Sequence, residues 1–170
     1  MAITYTPIAT TTLTGNANSY TFSSIPGTYT DLVLVVNMQS SYTGDAGNGA
    51  RIQFNGDTGS NYSDTNMRGT GGTQFSYRVS NSSYIQAGLL PSSGGGTPAG
   101  TLGVGIINIQ NYANTTNNKI VLCRTNSLYA SVEASVGLWR NTAAITSVKY
   151  FGDGDILSGS SLTLYGIASA

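Results

Sequence analysis

Two pairs of aspartates are the residues whose types and spacing could support chemistry in this 170-residue chain. Asp45 and Asp57 lie in glycine-rich segments, and two carboxylates can act together in glycoside hydrolysis. Asp153 and Asp155 flank one glycine and could supply oxygen ligands to Ca²⁺. Neither pattern is specific, because nothing in the spacing selects the first pair and a Ca²⁺ loop needs further carboxylates, whereas Glu133 is the single glutamate. We therefore interpret Asp153–Asp155 as a polar turn between a strand that ends near Phe151 and one that starts near Ser160. We expect no enzyme activity, no catalytic residue, no metal and no cofactor.

The composition excludes further classes of site. The chain has no His, so Ser-His-Asp and Cys-His nucleophiles and imidazole metal ligands are ruled out. The single cysteine, Cys123, permits neither an internal disulfide nor a cysteine zinc site, and we interpret it as a small buried hydrophobe. Lys119 and Lys149 lack the preceding glycine series of a phosphate-binding loop.

Charge and hydropathy limit the partners that we expect. Seven basic residues balance seven acidic ones, and the basic residues are scattered, which predicts no nucleic-acid surface. The longest apolar run, residues 32–36, is far too short to cross a membrane. The first residues lack the basic region and apolar core of a signal peptide. We therefore expect synthesis in a cytoplasm and no membrane partner.

The elements that must position these residues are predicted to be β-strands. Ser, Thr and Asn dominate the polar residues, and these types favour strands and turns over helices. Apolar and polar residues alternate with period two in several segments, including Phe75–Val79, Val132–Leu138 and Leu162–Leu164. About eight to ten strands and no convincing helix predict an all-β fold, a two-sheet antiparallel sandwich that resembles a jelly roll.

Four segments carry more specific expectations. Asp31–Met38 is apolar on both faces, which predicts a central strand or one covered by another subunit. In Leu102–Ile109 the alternation changes parity halfway, which predicts a bulge or a twist. Leu128–Val136 also fits a helical spacing, but a strand is favoured because Ser and Val dominate, and its valines together with Leu138 would form the dry face. The dipeptide at residues 55–56, Asn-Gly, predicts a hairpin-type turn.

Eleven Tyr residues and Trp139 leave two interpretations open. Their rings could stack on sugars, or they could fill the core and anchor a subunit interface. Trp139 has the opposite strand parity to Val136 and Leu138. We therefore expect Trp139 to face away from the main core, where it is a candidate interface residue.

The N-terminal segment, residues 1–14, is predicted to be an arm that precedes a single sandwich domain at residues 15–170. Its apolar and polar residues alternate, but Pro7 excludes it from a central strand position. We expect it to pair along an edge strand, of its own sandwich or of a neighbour's, and to contact another subunit or a larger assembly. Its candidate interface residues are Ile3, Tyr5 and Ile8.

Five segments spread over residues 19–167 are similar in sequence to segments of one known group of proteins. The segments are Tyr20–Val35, Phe54–Ser63, Ile109–Tyr112, Gly137–Ile145 and Gly159–Ile167. They resemble a family of virion structural proteins of tailed bacteriophages, common among cyanophages and other marine phages. In that family the domain is a β-sandwich that decorates heads or forms the tips of fibres. The family offers no site motif, so the resemblance implies no functional residue.

The resemblance implies a capsid decoration, or cement, protein that binds the outer head surface. The major capsid protein and further copies of this chain, as a homotrimer, are then the expected partners, and the virion is the expected location after synthesis in the host cytoplasm. Strand faces with Thr, Ser and Tyr in place of Lys and Glu are typical of interfaces. The alternative is a tail-fibre or receptor-binding tip that recognises a host surface glycan. We expect a standalone head-surface protein, because the sandwich pattern begins within the first twenty residues.

Overall fold

The computed structural model describes residues 4–45, 47–94 and 96–168. These residues form twelve β-strands, and no helix occurs among them. The strands are β1 (Tyr5–Thr12), β2 (Ala17–Phe22), β3 (Asp31–Met38), β4 (Gly47–Phe54), β5 (Tyr62–Gly69), β6 (Gln74–Ser82), β7 (Ile85–Pro91), β8 (Gly103–Gln110), β9 (Lys119–Ser127), β10 (Ser131–Trp139), β11 (Val148–Ile156) and β12 (Ser161–Ile167). The predicted all-β class is confirmed, and residues 131–139 form a strand rather than a helix.

The strands form two antiparallel sheets. One sheet has eight strands in the order β1-β12-β3-β8-β9-β10-β5-β6, and the other has four in the order β2-β11-β4-β7. The strands β1–β4, β7, β8, β11 and β12 alternate between the sheets, except that β4 and β7 are neighbours in the four-stranded sheet, and this is the winding of a jelly roll. The hairpins β5–β6 and β9–β10 are inserted into this winding, and β10 pairs with β5. The predicted antiparallel sandwich is confirmed, and the two inserted hairpins bring it to twelve strands.

The core lies between the two sheets, and β3 contributes several of its fully buried residues. Leu32, Leu34 and Val36 face the core and have no exposed surface, and Val33 on the opposite face is almost completely buried. Because β3 lies between β12 and β8, the doubly apolar run occupies a central position, as the sequence predicts. Cys123 is also buried in this core.

The turn after β4 forms where it is predicted but does not make a hairpin. Asn55 and Gly56 have positive φ angles of 52° and 67°, yet β4 and β5 belong to different sheets. The Asn55 side chain donates to the carbonyl of Ala144 at 2.8 Å and accepts from the backbone N–H groups of Thr146 and Ser147 at 2.8 and 3.1 Å. The hairpin-type turn is therefore present as predicted, with the Asp57 N–H donating to the Phe54 carbonyl at 2.9 Å. It does not join paired strands, because the dipeptide specifies a local reversal and not the sheet that receives the next strand.

Two further expectations about strands are corrected. β8 has a regular register with both neighbours, so the predicted bulge is wrong, and the change of parity arises because Ile106 faces outward. β11 continues through Asp153 and Asp155 to Ile156 instead of ending near Phe151. The ladder between β11 and β2 is irregular after Phe151, which is why the polar residues there look like a turn in the sequence.

Candidate interaction surface

The inserted strands carry apolar side chains on the outer side of the eight-stranded sheet. Met67 and Val132 are 68% and 66% exposed. Leu122 lies directly beside Val136 on the neighbouring strand, and Met67 lies beside Ala134, so the side chains form one continuous surface. We call this surface the outer apolar face; it comprises Met67, Val104, Ile120, Leu122, Val132 and Val136.

The same strands direct polar groups towards the interior. Lys119 is buried and its Nζ donates to the carbonyl oxygens of Asn117 at 2.7 Å and Thr142 at 3.0 Å. Burial lowers the pKa of Lys119. Ser131 and Glu133 of β10 are likewise buried. The prediction that the valines of β10 form its dry face is therefore wrong: at residues 131–136 this strand turns polar residues inward and valines outward, the reverse of an ordinary sandwich strand.

Trp139 shows why β10 takes this orientation. Its side chain is only 1% exposed, stacks on Tyr62 with ring centroids 6.2 Å apart, and donates from Nε1 to Asp57 Oδ2 at 2.7 Å. Gly137 faces the same way, and a Cβ there would lie 2.4 Å from Cγ2 of Ile85. The interpretation of Trp139 as an outward-facing interface residue is wrong, because burial of the indole and its hydrogen bond decide which face of β10 turns inward.

A buried ionic network joins three of these strands. The Glu133 side chain is completely buried; Arg68 Nε donates to its Oε2 at 3.0 Å, and the Tyr77 hydroxyl donates to its Oε1 at 3.0 Å. Burial raises the pKa of Tyr77, and the Glu133 charge raises it further. Sequence reasoning missed this network; its one signal was a lone glutamate at a position with the parity of Trp139.

A cleft of about 580 Å³ opens beside this network. The cleft exists because the four-stranded sheet is too narrow to cover the eight-stranded sheet. The inner face of β5–β6 therefore extends past the edge strand β7. Asp45 and Asp153 line the cleft, but Asp57 follows the other end of β4. Asp45 and Asp57 are thus separated by an eight-residue strand, roughly 25 Å in extended chain. The pair considered for glycoside hydrolysis is not brought together.

The N-terminal segment forms β1, the edge strand of its own eight-stranded sheet, through antiparallel pairing with β12. Tyr5 is exposed, and its ring makes an edge-to-face contact with Tyr165 at a centroid distance of 6.2 Å. Ile8 lies at the register shift between Pro7 and Ala9 and packs against the core. Ile3 lies outside the described residues. Of Tyr5 and Ile8, the two predicted interface residues of this segment that the structure describes, Tyr5 is therefore the one whose side chain is open to a partner.

Neither a metal site nor a match to a protein family or a curated protein indicates what this chain does. Residues 4–45, 47–94 and 96–168 contain no group of three or more His, Cys, Asp or Glu side chains placed to hold a metal ion. Within the same ranges, no helix has the length and apolar character required to cross a membrane. No protein-family model matches the chain, and no curated protein matches it. Function is therefore argued from the geometry of the surfaces.

The outer apolar face is the surface feature that favours binding to a partner. Four strands, β8, β9, β10 and β5, present roughly 500 Å² when strands are about 4.8 Å apart and rise about 3.4 Å per residue. This area includes the polar outward positions, and the exposed apolar side chains lie together within it; contiguous apolar patches of this kind mark interaction sites. Among the outward-facing residues of β5, β9 and β10, Arg124 is the only charged one. The face is suited to burial against another nearly uncharged surface.

Proposed function

We propose that this chain is a structural protein of a tailed-bacteriophage virion: a decoration protein that binds the outer head surface and stabilises the shell. The observation that carries the proposal is that the inserted hairpins bury the charged residues Glu133 and Lys119 while they expose Val132 and Met67. Burial of apolar surface is the main favourable term in association. This arrangement is therefore understandable in a protein that works as part of an assembly. The resemblance to virion proteins points to the same class.

We assign the outer apolar face to contacts between copies of the chain in a homotrimer. The outer apolar face and the rest of β5, β8, β9 and β10 around it present roughly 500 Å², so further surface of each copy must join the contact to reach about 800 Å² per partner, the size of a standard interface. Val35 of β3, which is partly exposed, extends the apolar surface beyond the inserted hairpins. Because the face is nearly free of charge, identical faces can meet without strong like-charge repulsion.

We assign contact with the capsid shell to the β1 edge. Tyr5 and Tyr165 present two packed aromatic rings there, and tyrosine is a common interface anchor. Pro7 has no backbone N–H, so this edge cannot act as a full template for strand addition, and side chains provide the contact. Many trimers that each bridge neighbouring capsid subunits would stabilise the shell by mass action, because they bind the assembled state.

The proposal is tested by adding purified protein to heads that lack it. We expect density distributed over the whole head surface in cryo-electron microscopy and a higher melting temperature of the particle. Tyr5→Ala should reduce the bound fraction by about tenfold, whereas Thr10→Ala, an exposed residue of the same strand, should leave it unchanged. Density confined to fibre tips, or no binding to heads, would show that the decoration proposal is wrong.

A further inference from the structure

The cleft beside β7 has the features of a ligand site that are independent of the assembly surface. One wall is formed by Arg68 and Tyr77 of the inserted hairpin β5–β6, and the other by Gln86 and Asp153 on the outer side of the four-stranded sheet. Its volume of about 580 Å³ lies within the usual range for small-molecule sites. We propose that this cleft binds a neutral oligosaccharide.

Asp153 is held in place by an ion pair that uses one of its two carboxylate oxygens. Its Oδ1 forms an ion pair with Arg51, whose guanidinium carbon lies 4.6 Å from the centroid of the Tyr84 ring. The Asp153 backbone N–H donates to Asn48 Oδ1 at 2.9 Å. Its Oδ2 has no hydrogen-bond partner among the described residues and lies towards Gly49. A fixed carboxylate with a free acceptor oxygen can accept hydrogen bonds from hydroxyl groups.

Gly49 allows the polar groups of this wall to converge. A Cβ at this position would lie 2.8 Å from Nε2 of Gln86 and 3.3 Å from Oδ2 of Asp153. A glycine inside a strand often marks a close approach of a ligand or another backbone. Gln86 Nε2 donates to the carbonyl of Gly88 at 2.9 Å, which fixes the amide and leaves its carbonyl oxygen as a second acceptor next to that of Asp153.

The opposite wall supplies donors and an aromatic surface. Arg68 uses Nε for Glu133 and one N–H of Nη2 for the Tyr77 hydroxyl, at 3.0 and 3.3 Å. The remaining N–H groups of its guanidinium have no partner among the described residues. Arg68 is also held 5.6 Å from the centroid of the Tyr77 ring. Donor and ring are therefore ordered before a ligand binds, which lowers the entropic cost of binding.

The combination of charged, polar and aromatic groups in the cleft indicates which class of ligand it binds. The basic side chain of Arg68 faces the carboxylates of Asp45 and Asp153 across the cleft, so neither sign of charge predominates strongly enough to favour an anion or a metal ion. A saccharide offers hydroxyls that both donate and accept, together with C–H faces that pack on rings such as those of Tyr42 and Tyr77. The inference does not depend on the decoration proposal.

The test uses the full-length protein on a printed array of neutral and anionic oligosaccharides, followed by calorimetric titration with the best neutral ligand. We expect binding to neutral members only. Asp153→Asn should raise the Kd at least about tenfold, because a charge-assisted hydrogen bond is lost. Asp155→Asn removes an exposed carboxylate two residues further along β11 and should leave the Kd unchanged.

A second variant separates loss of the site from loss of the fold. Gly49→Ala should displace the Gln86 amide and weaken binding, whereas Gly27→Ala, where a Cβ meets nothing within 4 Å, should not. Melting temperatures of all four variants show that they are folded. The proposal is overturned if no neutral oligosaccharide binds, if anionic ones bind instead, or if binding survives both Asp153→Asn and Gly49→Ala.

Discussion

Trp139 Nε1 donates a hydrogen bond of 2.7 Å to Asp57 Oδ2 and so joins the last residue of β10 to the turn that follows β4. Asp57 also accepts from the backbone N–H of Gly59 at 2.8 Å and from the Asn61 amide at 2.9 Å. Burial alone would raise the pKa of Asp57, but these three hydrogen bonds outweigh it and lower the pKa. One carboxylate thus fixes an inserted hairpin to the jelly roll.

Removal of this carboxylate should destabilise the fold. Asp57→Ala leaves the buried N–H of Trp139 without a charged acceptor, and we expect the free energy of unfolding to fall by about 2 kcal/mol. Urea denaturation followed by tryptophan fluorescence measures the loss. Asp155→Ala, at an exposed aspartate, should change it by less than about 0.5 kcal/mol. Equal losses in the two variants would contradict the assigned role of Asp57.

The contribution of Asp57 should depend on pH in a defined direction. Its pKa is lower in the folded state than its ordinary value, so its stabilisation is present above about pH 4 and is lost as the pH falls through the folded pKa. The unfolding free energies of the unaltered protein and of Asp57→Ala should therefore converge in acid. Burial raises the pKa of Asp64, which acts in the opposite sense but cancels in the difference between the two proteins. A difference that is constant from pH 7 to pH 2 would contradict this expectation.

The sequence was sufficient for the fold class because strand periodicity and turn residues are local properties. The central position of β3 followed from its doubly apolar run, and the burial of Cys123 followed from its residue type. The orientation of β10 was not predictable in this way. Its inward face is decided by Asp57, 82 residues from Trp139, and by Arg68, 65 residues from Glu133. A single period-two pattern does not say which face meets such partners.

The candidate sites were less accessible to sequence reasoning for the same reason. The sequence singles out Asp45 and Asp153 as members of different pairs, Asp45 with Asp57 and Asp153 with Asp155. The overhang of the β5–β6 hairpin past β7 is what brings Asp45 and Asp153 to one cleft. Tyr5 was identified from its alternation, and its exposure depends on the pairing of β1 with β12. Long-range strand order therefore determines the sites, whereas local composition determines the elements.

The thiol of Cys123 should be unreactive in the folded protein. Burial raises its pKa to about 12, and the thiolate is the reactive species. We expect a thiol reagent such as dithionitrobenzoate to react at least about a thousandfold more slowly with native Cys123 than with an exposed cysteine. The matched control is Asn18→Cys in a Cys123→Ser background, since Asn18 is exposed on β2. Similar native rates would show that Cys123 is not enclosed as described.

The outer apolar face should control the oligomeric state. Val136 lies at its centre, beside Leu122, and is 42% exposed in the single chain. Val136→Lys would bury an unpaired charge in the proposed apolar interface, so we expect the proposed homotrimer to dissociate into chains of 17.6 kDa. The strand itself should persist, because a lysine at this position can extend into solvent in the monomer. Light scattering gives the mass, and circular dichroism shows that the variant is folded.

Asn18→Lys, on the four-stranded sheet, adds the same charge elsewhere and should remain trimeric. A trimer that survives Val136→Lys, or an unaltered protein that is monomeric at high concentration, would show that this face does not join copies of the chain.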